Sequence, residues 1–381
     1  MNVMMLWITL LCGVLMIVAF GVTPFVTRKT ELFGVSLPSS EIKRYELTAL
    51  RQSYLRMTIL AGAVMLALNV LLFLVFTNEN VQIRLFMILI FGYVAVGFLI
   101  YLLFHKKMIA FKAAQPWRSY GRAAGEGDAE PVLVVDTSPP GREVVHPAWL
   151  WLYAVIGGVT LLYLKYIWPS LPDRIPMNLD TSGAVAEYID KGTGAFFTMM
   201  LAQWIIIIVF ILVYLMIPIS KRQIDAARPL ESREQGRRYR YNMSACMVFC
   251  GAALAAVVGI LPIAMAQGNG GMAFVIWPLV FTAVIVVVML AVMFRTGQGG
   301  SKLKVDAAEP APGQKRMENT DDDLYWKLGV IYVNPTDPAV IVEKRFGIGW
   351  TLNFGRPVAW LFLAGIAALV IVTIAISYNA Q

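Results

Sequence analysis

The stretch 196–219, FFTMMLAQWIIIIVFILVYLMIPI, decides the fold. It runs for 24 residues without an acid or a base. A bilayer core is about 30 Å thick and an α-helix rises about 1.5 Å per residue, so roughly 20 apolar residues span it. Lipid offers no hydrogen bonds to the backbone, so such a run satisfies itself as a helix. A barrel strand would be shorter and would alternate apolar with polar residues, which this run does not. Seven further runs meet the same standard: Met4–Val26, Met57–Phe76, Leu85–Phe104, Ala148–Trp168, Met243–Ala266, Met272–Phe294 and Pro357–Tyr378. Lys165 is the only Lys, Arg, His, Asp or Glu in the eight runs. The fold class expected is an all-α polytopic membrane protein with eight transmembrane helices.

The composition agrees. Of 381 residues, 58% are hydrophobic and 15% charged, against roughly 25% charged in a soluble domain. A soluble globular domain, a disordered chain and a secreted disulfide scaffold are excluded. Lys and Arg set the orientation. Loops 27–56, 105–147, 220–242 and 295–356 carry six, six, seven and nine, while the opposite side has only Arg84, Arg174 and Lys191. The reading is a multi-pass plasma-membrane protein with both termini extracytoplasmic and four large cytoplasmic loops. The first span lacks a basic leader, so it reads as an uncleaved anchor. The net charge of +8 reports orientation and attraction to anionic lipid heads, and no nucleic-acid partner is expected.

The chain divides into 1–147, three helices and their loops; 148–219, helices four and five around outer loop 169–195; 220–294, helices six and seven; 295–320, a flexible linker; 321–356, a cytoplasmic β-meander; and 357–381, the last helix. A 4+4 parallel repeat is suggested by Pro24 and Arg28 against Pro218 and Arg222, and by Val132–Pro140 against Val330–Pro338.

Catalytic groups are scarce. The two histidines, His105 and His146, share one loop, and no zinc-spaced Cys pair, P-loop or nucleophile elbow is present. No enzyme, cofactor or metal is expected. Cys246 and Cys250 share a helix face and read as packing residues, with a metal or redox pair as the alternative. Asn69 and Gln203 read as interhelical hydrogen-bonding groups, and Lys165 as a side chain reaching the headgroups.

Two loops carry the functional expectation. The outer loop contains Pro172, Asp173, Arg174, Ile175, Pro176, Asn178, Asp180, Gly183 and Lys191. Its prolines forbid helix and its Asn178–Gly183 stretch supplies turn residues, so it should be stiff: a cap on spans four and five, or a recognition surface. In the last inner loop, Gly329–Val333, Ala339–Arg345 and Trp350–Phe354 read as three strands of an antiparallel meander, with Asn334–Pro338 as a turn. Tyr325, Trp326, Asn334, Pro335, Lys344, Arg345, Phe346, Gly349 and Trp350 form an interfacial belt or a docking site. Arg233, Arg237 and Arg240 lie on one face of a helix entering span six and should meet anionic lipid or an acidic partner.

The string LPDRIPMNLDTSG…YIDK, Leu171–Lys191, resembles an uncharacterised domain of SdpI-type membrane proteins of Gram-positive bacteria, with Asn178 where a His is common. The string YWKLGVIYVNPTDP…VEKRFGIGWTLNFG is similar to a second uncharacterised domain that accompanies it. The resemblance implies immunity to a secreted toxin, or sensing of it with capture of a transcriptional regulator. The partners implied are the lipid bilayer, an extracellular peptide toxin and a cytoplasmic regulator. A small-molecule permease and a membrane scaffold are the other readings.

Overall fold

A computed structural model describes residues 3–38, 41, 44–117, 141–179, 184–268, 272–305 and 321–379. Among the described residues there are eight α-helices: α1 (Val3–Val26), α2 (Tyr45–Val75), α3 (Glu79–Ala113), α4 (Trp151–Ile167), α5 (Thr193–Ile219), α6 (Pro229–Ala266), α7 (Met272–Thr296) and α8 (Pro357–Asn379). Seven helices are long and apolar enough to cross a membrane, and α8 runs for 23 residues. Large apolar side chains such as Leu60, Phe91, Leu162, Phe197, Trp277 and Leu361 stand exposed along them. A water-soluble protein rarely tolerates so much exposed apolar surface; lipid is the solvent that suits it.

Three helices outrun their apolar segments. α2 begins 12 residues before Met57 and α6 14 before Met243, while α3 continues past Phe104 to Ala113. These extensions carry polar groups beyond the apolar segments.

The strands form four antiparallel pairs: β1 (Glu31–Leu32) with β2 (Val35–Ser36), β3 (Arg174–Leu179) with β4 (Val185–Asp190), β5 (Trp326–Lys327) with β6 (Ile331–Tyr332), and β7 (Ile341–Glu343) with β8 (Trp350–Leu352). The meander expectation is corrected in its connectivity. Ala339–Arg345 does not pair with Gly329–Val333; instead β6 meets β8 through a parallel bridge between Tyr332 and Asn353. The reason lies in the turn between them. Asn334 Oδ1 accepts hydrogen bonds from the backbone N–H of Thr336 and Asp337. This caps the turn locally and carries the chain away from β6.

Backbone packing divides the chain into two compact units. The first comprises Met1–Pro139, Lys221–Gly236 and Thr296–Arg356; the second comprises Pro140–Ser220, Arg237–Arg295 and Pro357–Gln381. They are not the two halves that the Pro24 and Pro218 alignment pairs. The first unit has a buried cluster of Leu32, Phe33, Val35, Leu47, Tyr54, Tyr101, Phe104 and Met108. The second has Leu164, Ile167, Leu171, Ile175, Met199, Met200 and Ile263.

The linker expected at 295–320 is ordered over its first residues. Gln298 is fully buried and exchanges two hydrogen bonds with the Gly349 backbone, at 2.9 and 2.8 Å. Leu303 accepts one from Gln235 Nε2 at 3.0 Å. Residues 306–320 lie outside the described residues, as do 118–140.

Candidate functional site

In the first unit, two hairpin tips meet. Leu32–Val35 turns through Phe33 and Gly34, both at positive φ (48° and 77°), as a two-residue hairpin loop of the primed type requires. Leu328 and Gly329 also lie at positive φ, 53° and 70°, within the three-residue loop between β5 and β6. The tips touch: a Cβ on Gly34 would lie 2.5 Å from Gly329 Cα, and a Cβ on Gly329 would lie 2.6 Å from Tyr101 Oη. Only glycine allows this approach. Tyr101, from α3, hydrogen-bonds both tips, donating to Leu328 O at 2.8 Å and lying 3.4 Å from Phe33 O. One turn further on, His105 Nδ1 sits 2.7 Å from Phe33 O. Phe346 stacks into the same cluster, 4.3 Å from the Tyr101 ring centre.

Around this clasp lies a buried ionic network. Arg345 is 1% exposed in its side chain. Its guanidinium bonds Asp322 and Asp323, donates to Gly34 O at 3.2 Å, and lies 5.1 Å from the Trp326 ring centre. Lys112, at the end of α3, reaches Asp321 at 2.9 Å, Asp323 at 2.6 Å and Ser36 Oγ at 3.1 Å. Arg28, two residues past α1, pairs with the fully buried Glu343. Lys221 pairs with Asp337 at 2.6 Å, and its backbone N–H donates to Ile341 O at 2.8 Å. Thus the segments after α1 and α5 and the end of α3 are all tied to the last loop.

Burial sets the electrostatics. It pushes the Glu31 carboxyl up to about 7, since the opposing effects of Arg345 and Arg28 are offset by Asp322 and Glu343. Burial would raise Asp323 too, but Arg345 and Lys112 outweigh it and hold Asp323 below the ordinary carboxylate range. For Asp337 burial is likewise outweighed, here by hydrogen bonds from Lys221, the Ala339 backbone and Tyr332.

The expected docking residues divide. Trp326, Asn334 and Arg345 are interior, and Phe346 packs on Phe33, Tyr54 and Tyr101. Gly349 is held by Gln298. Pro335 and Lys344 are exposed, while Tyr325 and Trp350 are half-buried. The side chains that looked like an outward belt therefore mostly weld the loop to its own neighbours. Asn353, which sequence reasoning passed over, is the centre of the fold here. Fully buried, it donates to Asn334 O, Asp337 O and Ala339 O and accepts from the N–H groups of Asn334 and Gly355.

In the second unit, the outer loop is a hairpin. Arg174 pairs with Asp190, Ile175 with Ile189, Pro176 with Tyr188, and Asn178 with Glu187, with register shifts on either side of Asn178. Pro176 and Ile175 are buried, and Ile175 joins the cluster of α4, α5 and α6. Lys191 staples the base, its Nζ donating to Leu171 O at 2.7 Å and Pro169 O at 3.3 Å, while its N–H donates to Asp173 O. Pro172, Asp173 and Arg174 are exposed. A cavity of about 450 Å³ opens beside the hairpin, lined by Arg174, Tyr188, Asp190 and Gly192 among others. Asp180 and Gly183 lie outside the described residues.

Other readings are placed as follows. Asn69 Nδ2 donates to Thr9 Oγ1 at 2.9 Å and Gln203 Nε2 to Thr160 Oγ1 at 3.0 Å, so both link helices. The Cys246 and Cys250 sulfurs are 3.8 Å apart. The arginine face of α6 meets this chain rather than lipid alone: Arg237 donates to Arg142 O, and the buried Arg240 lies 3.4 Å from Glu143. Pairing with residues 142–143, distant in sequence, supplies the acidic and carbonyl partners that the helix pattern left open.

Residues 335–360 match a family of unknown function (DUF5808). This falls on the second of the two resembling strings and covers β7, β8, Asn353 and Arg345. No curated protein and no solved structure matches the chain.

Proposed function

We propose that this integral membrane protein is a non-enzymatic sensor or immunity protein of SdpI-like type. An extracellular antimicrobial agent, a peptide toxin in the simplest case, meets the hairpin of loop 169–195, and the last inner loop passes the event to a cytoplasmic regulator. The observation that carries the reading is the outer hairpin itself: a stapled, core-anchored strand pair that leaves Arg174, Tyr188 and Asp190 exposed beside a cavity. A mere connector between two helices needs neither the anchoring nor the cavity. The resemblance of Leu171–Lys191 supplies the class of agent.

The test is a deletion strain challenged with peptide toxins and envelope antibiotics, complemented by wild type or by Arg174→Ala/Tyr188→Ala. Heightened sensitivity, restored by wild type and not by the double variant, is the expected result. Unchanged sensitivity together with unchanged transcription sinks the reading.

A further inference from the structure

Helix α6 carries two of the chain's three cysteines. Cys246 is buried and Cys250 half-buried, and their sulfurs lie 3.8 Å apart. The function proposed above uses neither. Elsewhere α6 fills small positions with Ala or Gly, as at Ala245, Gly251, Ala252 and Ala255, so packing alone does not call for sulfur at these two. Met243 and Met247 belong to the same face. At 3.6 residues per turn, positions 243, 246, 247 and 250 fall within an arc of about 100°. Four sulfur-bearing residues thus share two turns of one helix face.

Thiolates and thioethers are soft ligands, and they narrow the metals that suit the face to Cu(I), zinc and iron–sulfur clusters. Zinc takes four ligands as a rule, and iron–sulfur clusters take four cysteines. Among the described residues no group of three His, Cys, Asp or Glu is placed to hold a metal ion. Two thiolates with thioethers beside them are therefore left to Cu(I). The separation agrees. With metal–thiolate bonds of about 2.3 Å, sulfurs 3.8 Å apart subtend about 110° at the metal. That angle leaves room for a third ligand, and Met243 and Met247 stand at the register to supply it.

The place on the helix fits an ion arriving from water. The apolar stretch of α6 begins at Met243, so Cys250 lies only about 10 Å inside it. Residues 233–240, just before that stretch, carry four arginines and one glutamate.

We propose that Cys246 and Cys250, as thiolates, form a Cu(I) site on α6, with the thioether of Met243 or Met247 as third ligand. Binding releases two thiol protons for one Cu(I) and moves no electron. The complex keeps one negative charge, which the neighbouring arginines offset. The site stands independently of the outer hairpin.

The full chain in nanodiscs, reduced and without oxygen, is titrated with Cu(I) held by the chromogenic chelator bicinchoninate. One equivalent should leave the chelator, and X-ray absorption should show sulfur as the only near neighbour of the copper. An added equivalent of zinc should displace none of it. Outer partners of a metal site are typically worth about 10–100-fold in affinity, so loss of a ligand in Cys246→Ala or Cys250→Ala should weaken binding by more than about a hundredfold. The double variant Cys246→Ala/Cys250→Ala keeps both positions small and apolar and should take up no copper; Cys246→Ser/Cys250→Ser serves if it fails to fold. Met243→Leu/Met247→Leu should bind about tenfold more weakly, and Cys12→Ala should bind as wild type does. No uptake by the wild type, undiminished uptake by either double cysteine variant or by the methionine variant, or nitrogen or oxygen neighbours in place of sulfur overturns the proposal.

Discussion

Arg345→Met isolates what the buried network contributes. Methionine keeps the length and apolar bulk of the side chain but removes the guanidinium. Four interactions go with it: the pairs to Asp322 and Asp323, the hydrogen bond to Gly34 O and the cation–π contact with Trp326. Asp323 retains Lys112, and Asp322 is over a third exposed in its side chain, so water recovers part of its loss. Gly34 O loses its Arg345 donor at the hairpin tip. Removing one partner of a buried pair typically costs about 3–5 kcal/mol; with Asp322 partly solvated, the lower end, about 3 kcal/mol, is expected here. At about 1.4 kcal/mol per tenfold, that is roughly a hundredfold rise in the open population. Hydrogen exchange on the protein in nanodiscs reads it directly. Amides of residues 32–37 and 341–352 should exchange about a hundredfold faster, while those of 174–190 in the other unit stay unchanged. A change below about threefold in the first set would refute the claim that Arg345 closes the clasp.

Three further outcomes follow from the same geometry. Asn353→Ala strips five hydrogen bonds from a fully buried position and should cost at least about 3 kcal/mol, seen as protease cleavage within 333–355. Gly329→Ala places a methyl within 2.6 Å of Tyr101 Oη at a positive φ and should cost about 2–3 kcal/mol; in a Tyr101→Phe background the penalty should shrink, measured by thermal unfolding. Glu31, raised from 4.5 to about 7, binds a proton more tightly folded than unfolded. Its contribution is full below pH 4.5 and is lost as pH rises through 7, roughly 3 kcal/mol in all. Exchange protection of residues 31–36 between pH 5 and 8.5 should follow that fall, and Glu31→Gln should flatten it.

The spans were legible in the sequence because charge-free runs of 20 or more residues have one physical outcome in lipid. Of the helix extensions, the arginine spacing marked the one entering span six, whereas Tyr45–Arg56 is rich in polar side chains, and what makes it helical is continuity with a nucleated span. The outer hairpin was legible as a stiff loop from its prolines, though its strand register depends on Ile175 finding the core. The inner loop shows the sharper limit. Its β-branched runs and turn residues marked strands, yet which strand lies beside which was decided by Asn334 and Asn353 side chains that carry no periodic signal. Arg345 looks like a surface residue by type, and Trp326 like a membrane-interface one. Their burial follows from partners at Gly34 and Asp322, which sequence spacing does not place. The likeness of FGV at 33–35 to LGV at 328–330 was a signal that could have linked the two tips.

The ion pair between Arg28 and Glu343 spans 315 residues of chain. At roughly 5–20 residues per second of synthesis, the first loop emerges tens of seconds before its partner exists. During that interval the hairpin at 31–36 must wait with Glu31 and Phe33 uncovered, while later helices enter the bilayer. Completion of the last loop is therefore the event that seals the first, so a nascent chain halted before residue 345 would leave its earliest loop open to quality-control proteases, however well its helices had been inserted.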